Sequence, residues 1–260
     1  MALGLDTTRR LLVALGRPDL RPATVIHVAG SNGKGTVCAL LAATAQAKGH
    51  TTLLFTSPHV ARIEERIRVN GRPVEAVMFD QAVLRVKACA EDLGLEPTFF
   101  ETTMLVAWAV CDAVNAEVVV QETGLGGRLD ATRATRADLS IITSISVEHA
   151  SLLGTTRAEV MVEKAAIARP GKPLLLRDPE DNLVLEAARR TAERAGDHDL
   201  DDDGPASDVT VVTVPTEVDV GDEAVRLAKA ACIKLRWPAD GLDELASRIR
   251  WPARSQWVRT

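Results

Sequence analysis

The chain has 260 residues, 46% of them hydrophobic, enough to bury the core of one large domain or two small ones. A net charge of −5, the lack of any basic block and an aromatic share of 3% argue against nucleic acid as its main partner. No run of about 18 apolar residues could span a membrane. The N-terminus lacks the layout of a secretion signal, and Cys38, Cys89, Cys111 and Cys232 are scattered without CxxC spacing, so a reduced, cytoplasmic protein is expected.

The first predicted element is a short amphipathic helix over residues 5–16, with Leu11, Leu12 and Leu15 as its apolar side and Gly16-Arg17-Pro18 as its stop. Next, the β-branched run Thr24 to Val28 feeds Ala29-Gly30-Ser31-Asn32-Gly33-Lys34-Gly35-Thr36, which opens onto the helical stretch Val37 to Ala45. Strand, glycine loop and helix make a phosphate cradle. Glycines let backbone N–H groups turn inward, Lys34 reaches terminal phosphates, and Thr36 offers a hydroxyl to Mg²⁺. The usual pattern has Ser or Thr directly after the lysine, and here Gly35 intervenes. A plain glycine turn with a solvated lysine is the alternative.

A second strand, Thr51 to Phe55, ends at Thr56-Ser57-Pro58-His59, and ligands of open α/β sheets gather beyond the carboxyl ends of strands. The arginine-rich stretch Arg62 to Arg72 closes on Asn70-Gly71, a hairpin tip, and fits a solvated face as well as an anionic pocket. A helix over 79–93 carries Val83, Leu84, Val86 and Cys89 on one side, and a helix over 102–114 is apolar enough to be buried. Phe100, just before it, fits a core position or a ligand contact.

The strand Glu117 to Gln121 delivers Glu122 to a glycine-rich turn, where a buried carboxylate is costly unless it meets a cation. Glu122 therefore reads as a Mg²⁺ ligand or as a turn cap. The strand Leu139 to Ile145 delivers Glu148-His149 in the same way, and His149 reads as a metal ligand or a structural histidine. A helix over 156–169, with Val160, Val162 and Ile167 apolar, carries Glu163-Lys164. Then come the strand 173–176, a helix over 181–195, an acidic loop over 197–205, an edge strand over 209–214 and helices over 223–235 and 242–249. Alternating strands and helices predict an α/β fold: a mostly parallel sheet flanked by helices.

The loop Gly30-Ser31-Asn32-Gly33-Lys34-Gly35-Thr36 resembles that of the folylpolyglutamate synthases, within the ATP-dependent Mur ligases. The likeness continues through Thr56-Ser57-Pro58-His59, Glu65-Arg66-Ile67, Glu122 to Thr132, Glu148-His149 with Leu153-Gly154, and Glu163 to Ile167. It covers nearly the whole chain but only about the first two thirds of a typical member. The resemblance implies a Mur-ligase-like ATPase domain over 1–250. Residues 251–260, with Trp251-Pro252-Ala253-Arg254, are similar to the hinge into a C-terminal domain.

What the family does implies an ATP- and Mg²⁺-dependent amide ligase that forms an acyl phosphate on a pterin- or folate-like acid and couples it to glutamate. A separate C-terminal-domain protein is a possible partner, and a non-catalytic nucleotide- or pterin-binding module is the alternative. By resemblance, Gly30 to Thr36 and Arg254 bind the nucleotide, and Thr36, Ser57, Glu122, His149 and a carbamylated Lys164 hold the metal. Phe100, Asp130 and Ala131 meet the pterin, and Lys34, His149 and Lys164 serve the chemistry. Two departures stand out: Arg133 where the family has Asn, and Glu148 where it has Asp.

Overall fold

The computed structural model of the chain describes residues 4–195, 205–215 and 219–248. The strands are β1 (Thr24–Ala29), β2 (Thr52–Phe55), β3 (Ile67–Val69), β4 (Arg72–Pro73), β5 (Val118–Glu122), β6 (Leu139–Ile142), β7 (Pro173–Arg177) and β8 (Asp208–Val212). They form one sheet of eight strands in the order β4-β3-β2-β5-β1-β6-β7-β8. The six strands from β2 to β8 in that order run parallel, and the β2–β3 and β3–β4 pairs are antiparallel. The hairpin turns where the sequence predicts, with Asn70 and Gly71 at φ of 47° and 77°.

The helices are α1 (Asp6–Ala14), α2 (Lys34–Ala47), α3 (Ala76–Leu93), α4 (Phe99–Val114), α5 (Ala150–Leu153), α6 (Arg157–Ala165), α7 (Asn182–Glu193), α8 (Val220–Leu235) and α9 (Leu242–Arg248). Because strand side chains alternate between faces, Val25, Leu53 and Val119 pack under α1, α3 and α4. Ile26, Val28, Leu54 and Val120 pack on the opposite face under α2, α8 and α9. A third cluster joins Ile142, Leu174 and Leu176 to α6 and α7. The strongest anchor is α4, where Met104, Leu105, Val106 and Trp108 are at most 2% exposed. Each such side chain contributes about 1.5–3 kcal/mol of burial free energy.

Some expectations need correction. α4 begins at Phe99 rather than Thr102, because Thr98 and Glu101 form a reciprocal cap: each side chain accepts a hydrogen bond from the other's backbone N–H. In α3 the buried stripe is Phe79, Ala82, Val86 and Ala90, a helical i, i+3, i+4 spacing, and Leu84 faces solvent. α6 stops at Ala165, short of Arg169, and its Val162 is exposed. β6 ends at Ile142, three residues early, because the chain leaves the sheet to run along the glycine loop. The expected acidic loop at 197–204, the boundary at 250 and the hinge with Arg254 lie outside the described residues.

One feature of the sheet positions the site. His27, Gln121 and Ser140 are register neighbours on β1, β5 and β6, and all three are fully or almost fully buried polar residues. Gln121 Nε2 donates to Thr135 Oγ1 at 2.7 Å and to Thr132 O at 3.2 Å, and Ser140 Oγ donates to Ile167 O at 2.8 Å. His27 Nε2 lies 2.7 Å from Thr132 Oγ1. This polar seam between two apolar clusters holds the segment 123–135 against the middle of the sheet, where unpaired buried groups would be costly.

Candidate active site

The glycine loop leaves β1 at the carboxyl edge of the sheet, beside the ends of β5 and β6. Ser31 and Asn32 are stitched to the segment that follows β6. Ser31 N donates to Ser144 O at 2.8 Å, Ser31 Oγ accepts from Ser146 N at 3.0 Å, and Thr143 Oγ1 donates to Asn32 O at 2.5 Å. Gly33 is the N-cap of α2 at φ 81°, a conformation that favours glycine, and no side chain caps the helix. The first-turn N–H groups contributed by Lys34, Gly35 and Thr36 therefore open onto the loop, which fits an anion such as a phosphate. Lys34 folds over this mouth, with Nζ donating to Gly30 O at 2.9 Å and Ser31 O at 3.2 Å.

A second lysine reaches the same carbonyl. Lys164 on α6 is 2% exposed, and its Nζ donates to Gly30 O at 3.0 Å and to Glu148 Oε1 at 2.8 Å. Burial pushes the Lys164 ammonium below its usual value, against the pull of its hydrogen bond to Glu148 and of that carboxylate's charge. Burial raises Glu148, but the hydrogen bond and charge of Lys164, with the Ser31 hydroxyl and the charge of Lys34, outweigh it and hold the carboxyl below its ordinary range. Lys164 thus stands as a cation paired with Glu148, not as a surface lysine.

Glu122, 1% exposed at the end of β5, faces Ser57: its Oε2 accepts from Ser57 N at 3.0 Å. Arg66 feels its charge, which opposes the lowering of the Arg66 guanidinium by burial. The cation that Glu122 was expected to need is thus provided in part by Arg66. Arg66 Nε in turn donates to His59 Nδ1 at 2.9 Å, and its guanidinium lies 5.2 Å from the Phe99 ring centroid. His149 is exposed at φ 48° as the N-cap of α5. Among the described residues no three His, Cys, Asp or Glu side chains are grouped closely enough to hold a metal ion. Of the expected holders Glu122, His149 and Lys164, Glu122 is bonded toward Ser57 and Lys164 toward Glu148. The oxygen donors Thr36, Ser57, Glu122 and Glu148 do suit a hard cation such as Mg²⁺.

Beside Ser57 opens a cavity of about 580 Å³ whose lining includes Arg66, Phe100, Asp130, Ala131 and Glu163. All three residues expected to meet a pterin share this wall. Phe100 packs against Phe55 with ring centroids 5.8 Å apart, and a Cβ on Gly124 would come within 2.5 Å of Phe100 Cζ, so only glycine fits beneath the ring. Asp130 Oδ2 accepts from the N–H groups of Gly124 and Leu125 at 2.9 and 2.8 Å, and Oδ1 from the N–H and hydroxyl of Thr132 at 3.0 and 2.5 Å. Burial raises the Asp130 carboxyl against these four donors. They fill the acceptor positions of a carboxylate, so Asp130 shapes the wall by closing the 124–131 turn.

The sequence reading missed His27 and the Thr98–Glu101 box. The box was legible as Thr-x-x-Glu before an apolar run. His27 carried a signal too, as a polar residue inside a buried strand. Arg66, left open between solvent and pocket, belongs to the pocket.

No family model matches the chain. The Escherichia coli dihydrofolate synthase/folylpolyglutamate synthase is 37% identical over 179 residues, which are 68% of this chain and 42% of that protein. A solved structure of E. coli FolC in complex with DHPP and ADP superimposes with a TM-score of 0.82 at 26% identity, covering 100% of this chain and 64% of the other. A Yersinia pestis bifunctional folylpolyglutamate synthase/dihydrofolate synthase complexed with AMPPNP and Mn gives 0.81 at 25% identity, covering 100% and 65%. The chain thus spans under half the length of that curated relative and about two thirds of the solved chains. With its phosphate loop, its sheet order and these likenesses, the chain is similar to the dihydrofolate synthases/folylpolyglutamate synthases and has their Mur-ligase-like fold.

Proposed function

We propose that this chain is the nucleotide- and pterin-binding part of an ATP- and Mg²⁺-dependent amide ligase, which activates a folate- or pterin-like acid as an acyl phosphate and joins it to glutamate. The observation that carries this is Ser57: it donates to Glu122 beside the phosphate loop and also lines the cavity of Phe100, Asp130 and Ala131. One residue thus joins the nucleotide side to the acid side. The relatives' names, as synthases of dihydrofolate and folylpolyglutamate, and their ADP, AMPPNP, Mn and DHPP complexes support the substrates and the metal.

In this mechanism the open N–H groups of α2 bind the phosphates, and Lys34 leaves the carbonyls of Gly30 and Ser31 to meet the terminal phosphate. The cavity orients the acid so that its carboxylate attacks the γ-phosphorus; the phosphoanhydride bond between the γ-phosphorus and the β-phosphate oxygen breaks with ADP as the leaving group, and an amine later displaces phosphate from the acyl group. Magnesium, when bound, neutralises charge on the transferring group. Thr36, Ser57, Glu122, His149 and Lys164 are its proposed holders, with Lys164 carbamylated. Carbamylation would first require Lys164 to lose its proton and release Glu148, a change the downward push of burial favours.

The glutamate site belongs to a C-terminal domain beyond a hinge at 251–260 that includes Arg254, on the same or a separate polypeptide. We place the protein in the cytoplasm, supported by the lack of any disulfide among the described cysteines. Among the described residues no helix is long and apolar enough to cross a membrane. The test is ADP release by the purified protein with ATP and Mg²⁺, with and without dihydropteroate plus glutamate. Substrate-dependent release with a C-terminal domain present supports the ligase. Nucleotide binding without release in that mixture would leave a binding module.

A further inference from the structure

A second cavity, of about 520 Å³, shares Arg128 and Leu129 of the 124–131 turn with the first. Its volume is typical of small-molecule sites, roughly 300–1,000 Å³. Leu5, Leu129, Val162 and Ala166 provide apolar wall. Val162, exposed on an otherwise packed helix, has its place here.

The polar part of the lining is of one sign. Arg9, Arg128, Arg133, Arg190 and Arg194 line the cavity, and among the described residues no Asp or Glu does. In a chain with 36 acidic and 31 basic residues this is a local reversal of charge. The arginines come from α1, the 124–135 segment and the end of α7, so the fold brings them together over more than 180 residues of sequence, from Arg9 to Arg194. From outside the lining, Glu163 lies 2.9 Å from Arg128, and Glu186 lies 2.6 Å from Arg190. Arg133 Nε donates to the neutral carbonyl of Ala166 at 2.5 Å. Gathering guanidinium groups around an apolar hollow is unfavourable by itself, and their planar forks match carboxylate and phosphate oxygens.

We propose that this cavity binds a small amphipathic dianion, a molecule with an apolar body and two carboxylate or phosphate groups, at a site separate from the nucleotide and pterin sites. The body lies against Leu5, Leu129 and Val162, and the acidic groups reach Arg190 and Arg194 at one end and Arg128 and Arg133 at the other. Arg128 and Leu129 line both cavities. An anion here and the Glu163 carboxylate facing the pterin cavity therefore draw on the same guanidinium.

The test titrates the purified chain with naphthalene-2,6-dicarboxylate by calorimetry, with naphthalene-2,6-dimethanol as the neutral match and 2-naphthyl phosphate to separate phosphate from carboxylate preference. Saturable binding of either anion is expected, with the diol weaker by about tenfold or more. The double variant Arg190→Ala with Arg194→Ala, on exposed positions of the α7 end, weakens the anions about ten- to hundredfold. Ala187→Trp, which fills the cavity, does the same, and Phe99→Ala in the other cavity changes nothing. The proposal is overturned if neither anion binds saturably, if the diol binds equally well, if the arginine double variant binds as the parent does, or if Phe99→Ala abolishes binding. None of these readouts depends on turnover, so failure here leaves the ligase proposal standing.

Discussion

Lys164 donates a hydrogen bond to the carbonyl oxygen of Gly30 at 3.0 Å, across 134 residues of chain. The contact ties α6 to the first glycine of the phosphate loop, and Glu148 holds the lysine in place. Lys164→Met keeps the length and apolar stem of the side chain but leaves that carbonyl and Glu148 without their donor. A loss of about 1–3 kcal/mol of stability is expected, read as a lower urea midpoint at unchanged slope. An unchanged midpoint would mean that the pair does not brace the loop.

The Glu148 carboxyl titrates below its ordinary value in the folded state, so the unfolded chain takes up a proton first as the pH falls. Its contribution is complete above the ordinary value of 4.5 and is lost as the pH drops through the lowered folded value. Glu148→Gln should therefore be less stable than the parent near neutrality, with the gap closing below pH 4.5. Urea unfolding of both proteins along a pH series measures the gap; a gap independent of pH would show that charge is not its source.

His27 is fully buried, and burial together with the charges of Arg169 and Arg133 holds its imidazole neutral well below the ordinary value of 6.5. Thr132 Oγ1 donates to Asp130, so His27 meets it with an Nε2–H donor. The unfolded histidine binds a proton that the folded one refuses, and stability falls with pH below 6.5 by about 1.4 kcal/mol per pH unit from this group alone. His27→Gln should flatten that fall between about pH 6.5 and 5. A parallel curve for the variant would assign the acid sensitivity to other groups.

Gly124→Ala would put a methyl group 2.5 Å from Phe100 Cζ and 3.0 Å from Asp130 Oδ2. The ring has to leave its seat on Phe55, at a cost of about 1–3 kcal/mol, and the cavity narrows. Titration with dihydropteroate should show weaker binding in the variant at little change in nucleotide affinity. Equal weakening of both ligands would show that the turn acts on the whole site.

Much of this architecture was legible in the sequence, because β-branched runs and glycine stops mark strand and loop directly. Thr24 to Thr36 could be read as strand, cradle and helix, and Asn70-Gly71 as a hairpin tip. The likeness to a ligase family supplied the companions of that loop, and Phe100, Asp130 and Ala131 do share a wall. Partner choice was not legible. Nothing local says that Lys164 meets Glu148 rather than Glu122, or that Glu122 turns to Ser57, since each pairing joins distant segments through the strand order. Leu84 was misplaced because its neighbours at 82, 86 and 90 form the tighter helical stripe.

The central claim is that Gly30 to Thr36 holds the phosphates of a nucleotide and that Lys34 answers their charge. Calorimetric titration of the parent and Lys34→Ala with ATP in the presence of Mg²⁺ tests it most directly. Saturable binding by the parent, weakened about ten- to hundredfold in the variant, is the expected result. Equal affinity in the two proteins would contradict it.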